Sequence, residues 1–262
     1  MNWKKSAGLL VMGLIVVSVI TLSGKAVTGY DGPDRLTTEN NPTRHTVDEY
    51  AGAVGLLADA VQECYLLSGS ERTGLDAEVF RKAYTGFLNL KAAGKIDASS
   101  SVLSVVDFAI SSKKKRLWII DLHRQELLLH TWVAHGQGSG GDIATHFSNV
   151  SNSHQSSLGF YVTGEVYYGK HGRSLRLDGM DQGYNHKARE RAIVVHGASY
   201  VSQQTIAGLG RLGRSHGCPA VPSGLTNQII DFVKDGTVLY IHGKSADYQS
   251  VYLDEERAVS ML

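Results

Sequence analysis

The chain has little cysteine: two residues in 262, Cys64 and Cys218. That excludes a disulfide-stapled scaffold. Proline is scarce too, at four, and two of these, Pro219 and Pro222, bracket one short segment. Neither sign of charge is in excess, with Lys+Arg at 26 and Asp+Glu at 25. A polyphosphate-binding surface needs a basic surplus, so no nucleic-acid partner is expected. Neither His-Glu-x-x-His nor Cys-x-x-Cys occurs, so no metal centre is expected. Internal repeats and low-complexity tracts are also missing. Apolar residues, by contrast, make up 42% of the chain and charged residues only 19%. That is enough to bury the core of one sizeable domain, with or without a smaller appendage, and it excludes wholesale disorder.

Lys4 and Lys5 precede an uncharged apolar run of 16 residues, Ala7 to Leu22. A positive start before a short apolar stretch reads as a secretory signal. Small residues at Gly24 and Ala26 suit cleavage after Ala26. The run is slightly short for a relaxed membrane span of about 20 residues, but retention as an anchor stays open. Removal of residues 1–26 would take away three lysines and leave 23 basic against 25 acidic residues. On either reading the remainder of the chain is expected to face outward, beyond the cytoplasm.

Residues 27–45 are polar and turn-rich and read as a linker. From Thr46 to Gly69, Val54, Leu57, Val61, Cys64 and Leu67 recur at helical spacing. Leu75 to Ala93 forms a second helical pattern, with Gly94 at its C-cap. Residues 46–98 therefore read as a helical appendage. From Ser99 the texture turns to β-rich runs: 102–110, 117–122, 127–133, 158–163, 192–195 and 238–242. One helix is expected over 223–234. Lys113-Lys114-Lys115-Arg116 reads as a solvated hairpin turn. Residues 136–157 form a Gly-, Ser-, Asn- and His-rich loop. The charged, glycine-containing stretch 164–190 reads as a candidate lid.

The informative segment is Arg214-Ser215-His216-Gly217-Cys218-Pro219-Ala220-Val221-Pro222. A thiol is mostly protonated at neutral pH and needs a base or a positive field to act as a nucleophile. Here His216 lies two residues before the cysteine and Arg214 four before it. Gly217 permits a tight turn that frees backbone N–H groups for an oxyanion. His196, ending an apolar strand at His196-Gly197, can supply a base on a rigid element. Cys64 lies on a helix stripe and reads as a small buried hydrophobe.

Ile193–Gly197 followed by Ser215-His216-Gly217-Cys218 resembles the signature of the L,D-transpeptidase catalytic domain of bacterial cell-wall enzymes, the YkuD-like family. Ser156–Tyr161 resembles the family's strand that opens with a small residue and a glycine before an aromatic. The Cys-Pro-Ala-Val ending, with Gly169–Gly172 and Ser174–Gly179, is similar to a branch described as murein L,D-transpeptidases. The resemblance covers about 99–243 and implies an α+β fold: a mostly β catalytic domain, 99–262, with a small N-terminal helical part. It implies that Cys218 is the nucleophile and His196 the base, with Ser215, His216 and Gly217 shaping the site. It also implies an oxyanion hole from the N–H groups of Gly217 and Cys218. Two departures stand out. The 18 residues between His196 and Ser215 slightly exceed the family's usual gap, and Ala220 stands where an Arg or Asn is common. Arg214, or Arg211, is the candidate replacement.

The implied chemistry is acyl transfer on peptidoglycan stem peptides, without metal or organic cofactor. Tyr161, His171 and Tyr184 are candidate substrate contacts in or near the expected lid. Three alternatives remain at this stage: hydrolysis of the same acyl-enzyme, a zinc site among His171, His186, His196 and His216 with Cys218, and a non-catalytic wall-binding module. The absent zinc motifs disfavour the second, and the intact Ser-His-Gly-Cys disfavours the third. A papain-like order is excluded, because there the cysteine precedes the histidine. Oligomeric state has no sequence signal.

Overall fold

The structure, a computed structural model, describes residues 42–262. The signal or anchor expected over 1–26 and most of the linker expected over 27–45 lie outside the described residues. Among the described residues, no helix is long and apolar enough to cross a membrane.

Two helices come first: α1, Pro42–Leu67, and α2, Ala77–Ala92. The Asp76 carboxylate caps α2 by accepting the N–H groups of Glu78 and Val79 at 3.0 Å each, which satisfies donors that have no intrahelical partner. Gly94 follows the helix with φ +63°, as its reading as a C-terminal stop requires.

Eight strands form one sheet: β1 Val102–Asp107, β2 Leu117–Asp121, β3 Glu126–Thr131, β4 Gly159–Gly169, β5 Gly172–Gly179, β6 Val194–Ala198, β7 Ala220–Pro222 and β8 Val238–His242. Their spatial order is β3-β2-β1-β8-β4-β5-β6-β7. The β1/β8 and β6/β7 pairs are parallel and the others antiparallel. The chain just past β3 joins the far edge. Ala134 and Ala220 exchange N–H···O bonds of 2.8 and 3.3 Å, and Gly136 bridges Ser215. The sheet thus curls nearly closed, and its seam runs through the Ser215–Cys218 turn. The expected α+β, mostly β architecture is the one found.

Period-two alternation sorts the strand residues between two cores. Leu103, Val105, Trp118, Ile120, Phe160 and Tyr240 pack with α1 and α2. Val106, Leu117, Ile119, Tyr161, Leu239 and Ile241 pack on the other face with Ile229, Ile230 and Val233. Those three belong to α4, Thr226–Val233; the seven-residue α3, Gln203–Leu209, precedes it. Cys64 is buried in the first core, as read. The helices share this core with the sheet: a Cβ on Gly86 of α2 would lie 2.0 Å from the Phe160 ring. The Asn89 amide also donates to the carbonyls of Tyr252 and Asp254 at 2.8 and 2.6 Å, tying α2 to the segment that leads into α5, Glu255–Val259.

Two expectations change. The stretch 164–190 is not one lid, because its first half completes the long β4–β5 hairpin. The outer half of that hairpin has polar side chains on both faces (Glu165, Arg173, Arg176), so no alternation marks it. And Arg116 is not a solvated turn residue: it is fully buried, although Lys113, Lys114 and Lys115 are exposed.

Candidate active site

The Ser215–Cys218 turn is held by its own polar atoms. The Ser215 hydroxyl donates to the Cys218 carbonyl at 2.6 Å and accepts the Gly217 N–H at 3.1 Å. A second serine braces the turn from outside: Ser156 Oγ donates to the Gly217 carbonyl at 3.1 Å and accepts the Gly136 N–H at 3.0 Å. Gly217 has φ +121°, and a Cβ there would meet the Gln155 carbonyl oxygen at 2.8 Å. Only glycine takes this conformation without strain. Among the described residues, the N–H groups of His216 and Cys218 donate to no protein acceptor. The oxyanion donors read from sequence therefore need one correction, since the Gly217 N–H is committed to Ser215 Oγ.

His196 lies on β6 opposite Ala220, two residues past the cysteine. Its Nδ1 is 3.0 Å from the Gly197 carbonyl. A carbonyl only accepts, so Nδ1 carries the hydrogen and Nε2 keeps its lone pair. The His171 ring stacks on His196 at 4.2 Å, and the exposed His216 stacks on His154 at 4.3 Å. Cys218, His171, His196, Ser215, His216 and Arg214 line one cleft of about 410 Å³, with Tyr167 and Tyr200 among its walls.

Both central groups rest uncharged. Burial pushes the Cys218 thiol up, against the pull of the Val194 N–H and the positive charges of Arg191 and Lys170. The thiol proton points to the Ala192 carbonyl, with Sγ at 3.6 Å. Burial pushes His196 down; the Gly197 bond opposes this, and the charges of His171 and Lys170 add to it. A neutral imidazole and a neutral thiol lining the same cleft are suited to general-base activation, which moves the proton only when the carbonyl is in place.

Behind the site lies a buried basic pair. Arg116 donates to the carbonyls of Val133 at 3.0 Å and Ile110 at 2.8 Å, and to His135 Nδ1 at 2.8 Å, and it lies over the Phe108 ring. The His135 carbonyl in turn accepts the Ser215 N–H at 3.0 Å. Arg191 cements the 136–157 loop, donating to the carbonyls of Ser148 and Gln155 at 2.6 and 2.7 Å.

Of the other residues singled out in the sequence, Tyr161 is fully buried and donates to the Ser157 carbonyl at 3.0 Å. As a substrate contact it is withdrawn. Its neighbour Phe160 faces the helices, so strand parity turns Tyr161 into the opposite core. Tyr184 lies away from this cleft, bonded to the Asp247 carbonyl and edge-on to Tyr248. His186 bonds Asn149 instead of joining the other histidines. Among the described residues, no group of His, Cys, Asp and Glu is arranged to hold a metal ion. Both cysteines are free. Lys170, Arg191, Tyr200, Ser156 and His135 were assigned no role from sequence, although Ser156 and Lys170 fall in segments that carry the resemblance. Arg191 and Tyr200 flank the His196 strand, and the topology brings the other three to the cleft or its supporting turn.

A family profile described as the L,D-transpeptidase catalytic domain matches residues 71–242. No curated protein matches the chain. Similar solved structures include an L,D-transpeptidase from Mycobacterium smegmatis, at 13% identity and TM-score 0.34, covering 55% of this chain and 59% of that one. Another is the helical cell shape determining protein of Campylobacter jejuni, at 13% identity and TM-score 0.38, covering 69% and 61%. A third is an L,D-transpeptidase from Stackebrandtia nassauensis, at 12% identity and TM-score 0.34, covering 73% and 93%. The chain thus spans only 59% of the length of the Mycobacterium protein. The profile match, which takes in α2, the sheet and the Ser215–Cys218 turn, establishes that this chain belongs to the L,D-transpeptidase catalytic domain family.

Proposed function

We propose that the protein is a peptidoglycan L,D-transpeptidase of the bacterial cell envelope, acting through a Cys218 thioester. What carries the reading is one cleft holding a braced cysteine turn and a neutral histidine with a free Nε2.

In the first half-reaction, Sγ of Cys218 attacks the carbonyl that links the third, L-centred residue to the fourth, D-centred residue of a stem. The thiol proton passes to Nε2 of His196 as the C–S bond forms. The charge on the carbonyl oxygen is met by the unpartnered N–H groups of His216 and Cys218. The C–N bond then breaks, and the departing amine takes the proton from His196. In the second half-reaction an amine of a neighbouring stem attacks the thioester. It gives a proton to His196, the C–S bond breaks, and the sulfur recovers that proton. The net change is one amide exchanged for another, with no metal or redox step. Ser215, Gly217 and Ser156 hold the turn throughout.

The test is product analysis of disaccharide-tetrapeptide incubated with the protein and with Cys218→Ala. Cross-linked dimers from the wild type and none from the variant support the proposal. Tripeptide alone would assign hydrolysis instead. No change with either folded protein would refute the enzymatic reading.

A further inference from the structure

The cleft around Cys218 is electrostatically one-sided. Its lining includes three fixed cations, Lys170, Arg191 and Arg214, and no Asp or Glu. Two of the cations already serve the protein. Arg191 donates through both terminal nitrogens to the 148–157 loop: Ser148, Ser153, Gln155 and Ser157. Arg214 donates through Nη1 to the carbonyls of Gly140 at 2.7 Å and Gln137 at 3.3 Å, pinning the loop before the site. Lys170 differs. Among the described residues its ammonium forms no hydrogen bond and no ion pair. It sits with His171 in the two-residue turn that joins β4 to β5, where Gly169 pairs with Gly172. His171 in turn stacks on His196. The uncommitted charge is therefore carried next to the residue that covers the proposed base.

We infer that Lys170 is a specificity residue that binds a carboxylate of the donor stem in the Cys218 cleft. The inference rests on the transpeptidase reading and deepens it. A four-residue stem ends in an α-carboxylate one residue beyond the scissile carbonyl. A diamino acid at the third position offers a second carboxylate on its side chain. Either one, brought into this cleft, is held best by a cation that is not already committed. The charge of Lys170 is already felt at Cys218, His196 and His171, where it favours thiolate and disfavours imidazolium. A bound carboxylate would neutralise that field.

The experiment compares three donors with the full chain: the disaccharide-tetrapeptide, its C-terminal amide, and its diamino acid side-chain amide. kcat/KM for loss of the fourth residue is read by mass spectrometry for wild type, Lys170→Met and Lys170→Arg. Lys170 is exposed in a turn, so the fold is expected to survive, and melting curves check it. Loss of a charge-assisted hydrogen bond predicts a drop of roughly tenfold to a hundredfold for one of the two amides with wild type. Which amide falls identifies the carboxylate. Lys170→Met should lower the acid donor by roughly tenfold to a hundredfold more than that amide, so that the two are used about equally, and Lys170→Arg should restore most of the preference. Equal use of all three donors by wild type would overturn the inference alone, as would an equal loss on all three in Lys170→Met. No turnover of any donor by wild type would overturn the transpeptidase reading and this inference with it.

Discussion

Acid should destabilise this protein in part through one residue, His135. Its side chain is 1% exposed. Burial, and then the adjacent Arg116 charge, push its pKa down to about 4 from an ordinary 6.5. Arg116 keeps its proton at neutral pH even though burial lowers it to about 9. It donates to His135 Nδ1, and a second proton on the ring would have to displace that bond. Below pH 6.5 the unfolded chain takes up a proton that the folded chain refuses, so stability falls as pH falls. With these two values, this histidine alone removes about 2.5 kcal/mol between pH 7 and about pH 4.5. His135→Gln keeps an acceptor for Arg116 and removes the titration. The assay is urea unfolding of wild type and variant at both pH values. Other buried histidines, His196 and His242 among them, titrate in both proteins and cancel in the comparison. Wild type should lose about 2.5 kcal/mol more than His135→Gln on acidification. Parallel losses in the two proteins would refute the argument. The expected cost has a functional side, because the His135 carbonyl holds the Ser215 N–H.

Two further expectations concern the cysteine turn. Because burial raises the Cys218 thiol and lowers His196, alkylation of Cys218 by iodoacetamide should climb about tenfold per pH unit from pH 6 to 8; a flat profile over that range would instead reveal a thiolate–imidazolium pair. The buried Cys64, pushed up to about 11, should stay unmodified. Gly217→Ala combines a φ of +121° with a Cβ placed 2.8 Å from the Gln155 carbonyl oxygen; it should cost about 2–4 kcal/mol and abolish turnover, and a variant of wild-type stability and activity would show that the turn is not conformationally constrained.

What could be read from the chain divides along physical lines. Runs with one buried face announced themselves. Leu57, Val61 and Cys64 on α1, and the alternating residues of β1, β2 and β8, carry the period of their element because packing demands it. The outer β4–β5 hairpin did not, since Glu165 and Tyr168 face solvent and no core enforces a pattern. The three-residue β7 and the polar seven-residue α3 are too short to show one. At the candidate site, Ser215 to Cys218 stood out because the turn is contiguous in sequence. Ser156, His135, Arg191 and Lys170 reach it across the curled sheet, and no local spacing records that. Tyr161 misled because an aromatic near the motif fits substrate contact and core packing equally. Only the parity of β4 decides for the core.

The central claim is that Cys218 carries the acyl group. It is tested most directly by quenching the protein with acid during incubation with disaccharide-tetrapeptide, then measuring intact mass and mapping the peptides. The account predicts a mass increase equal to the stem without its fourth residue, located on the peptide that contains Cys218 and absent from Cys218→Ala. An unmodified Cys218 during active turnover, or undiminished product formation by Cys218→Ala, would contradict it.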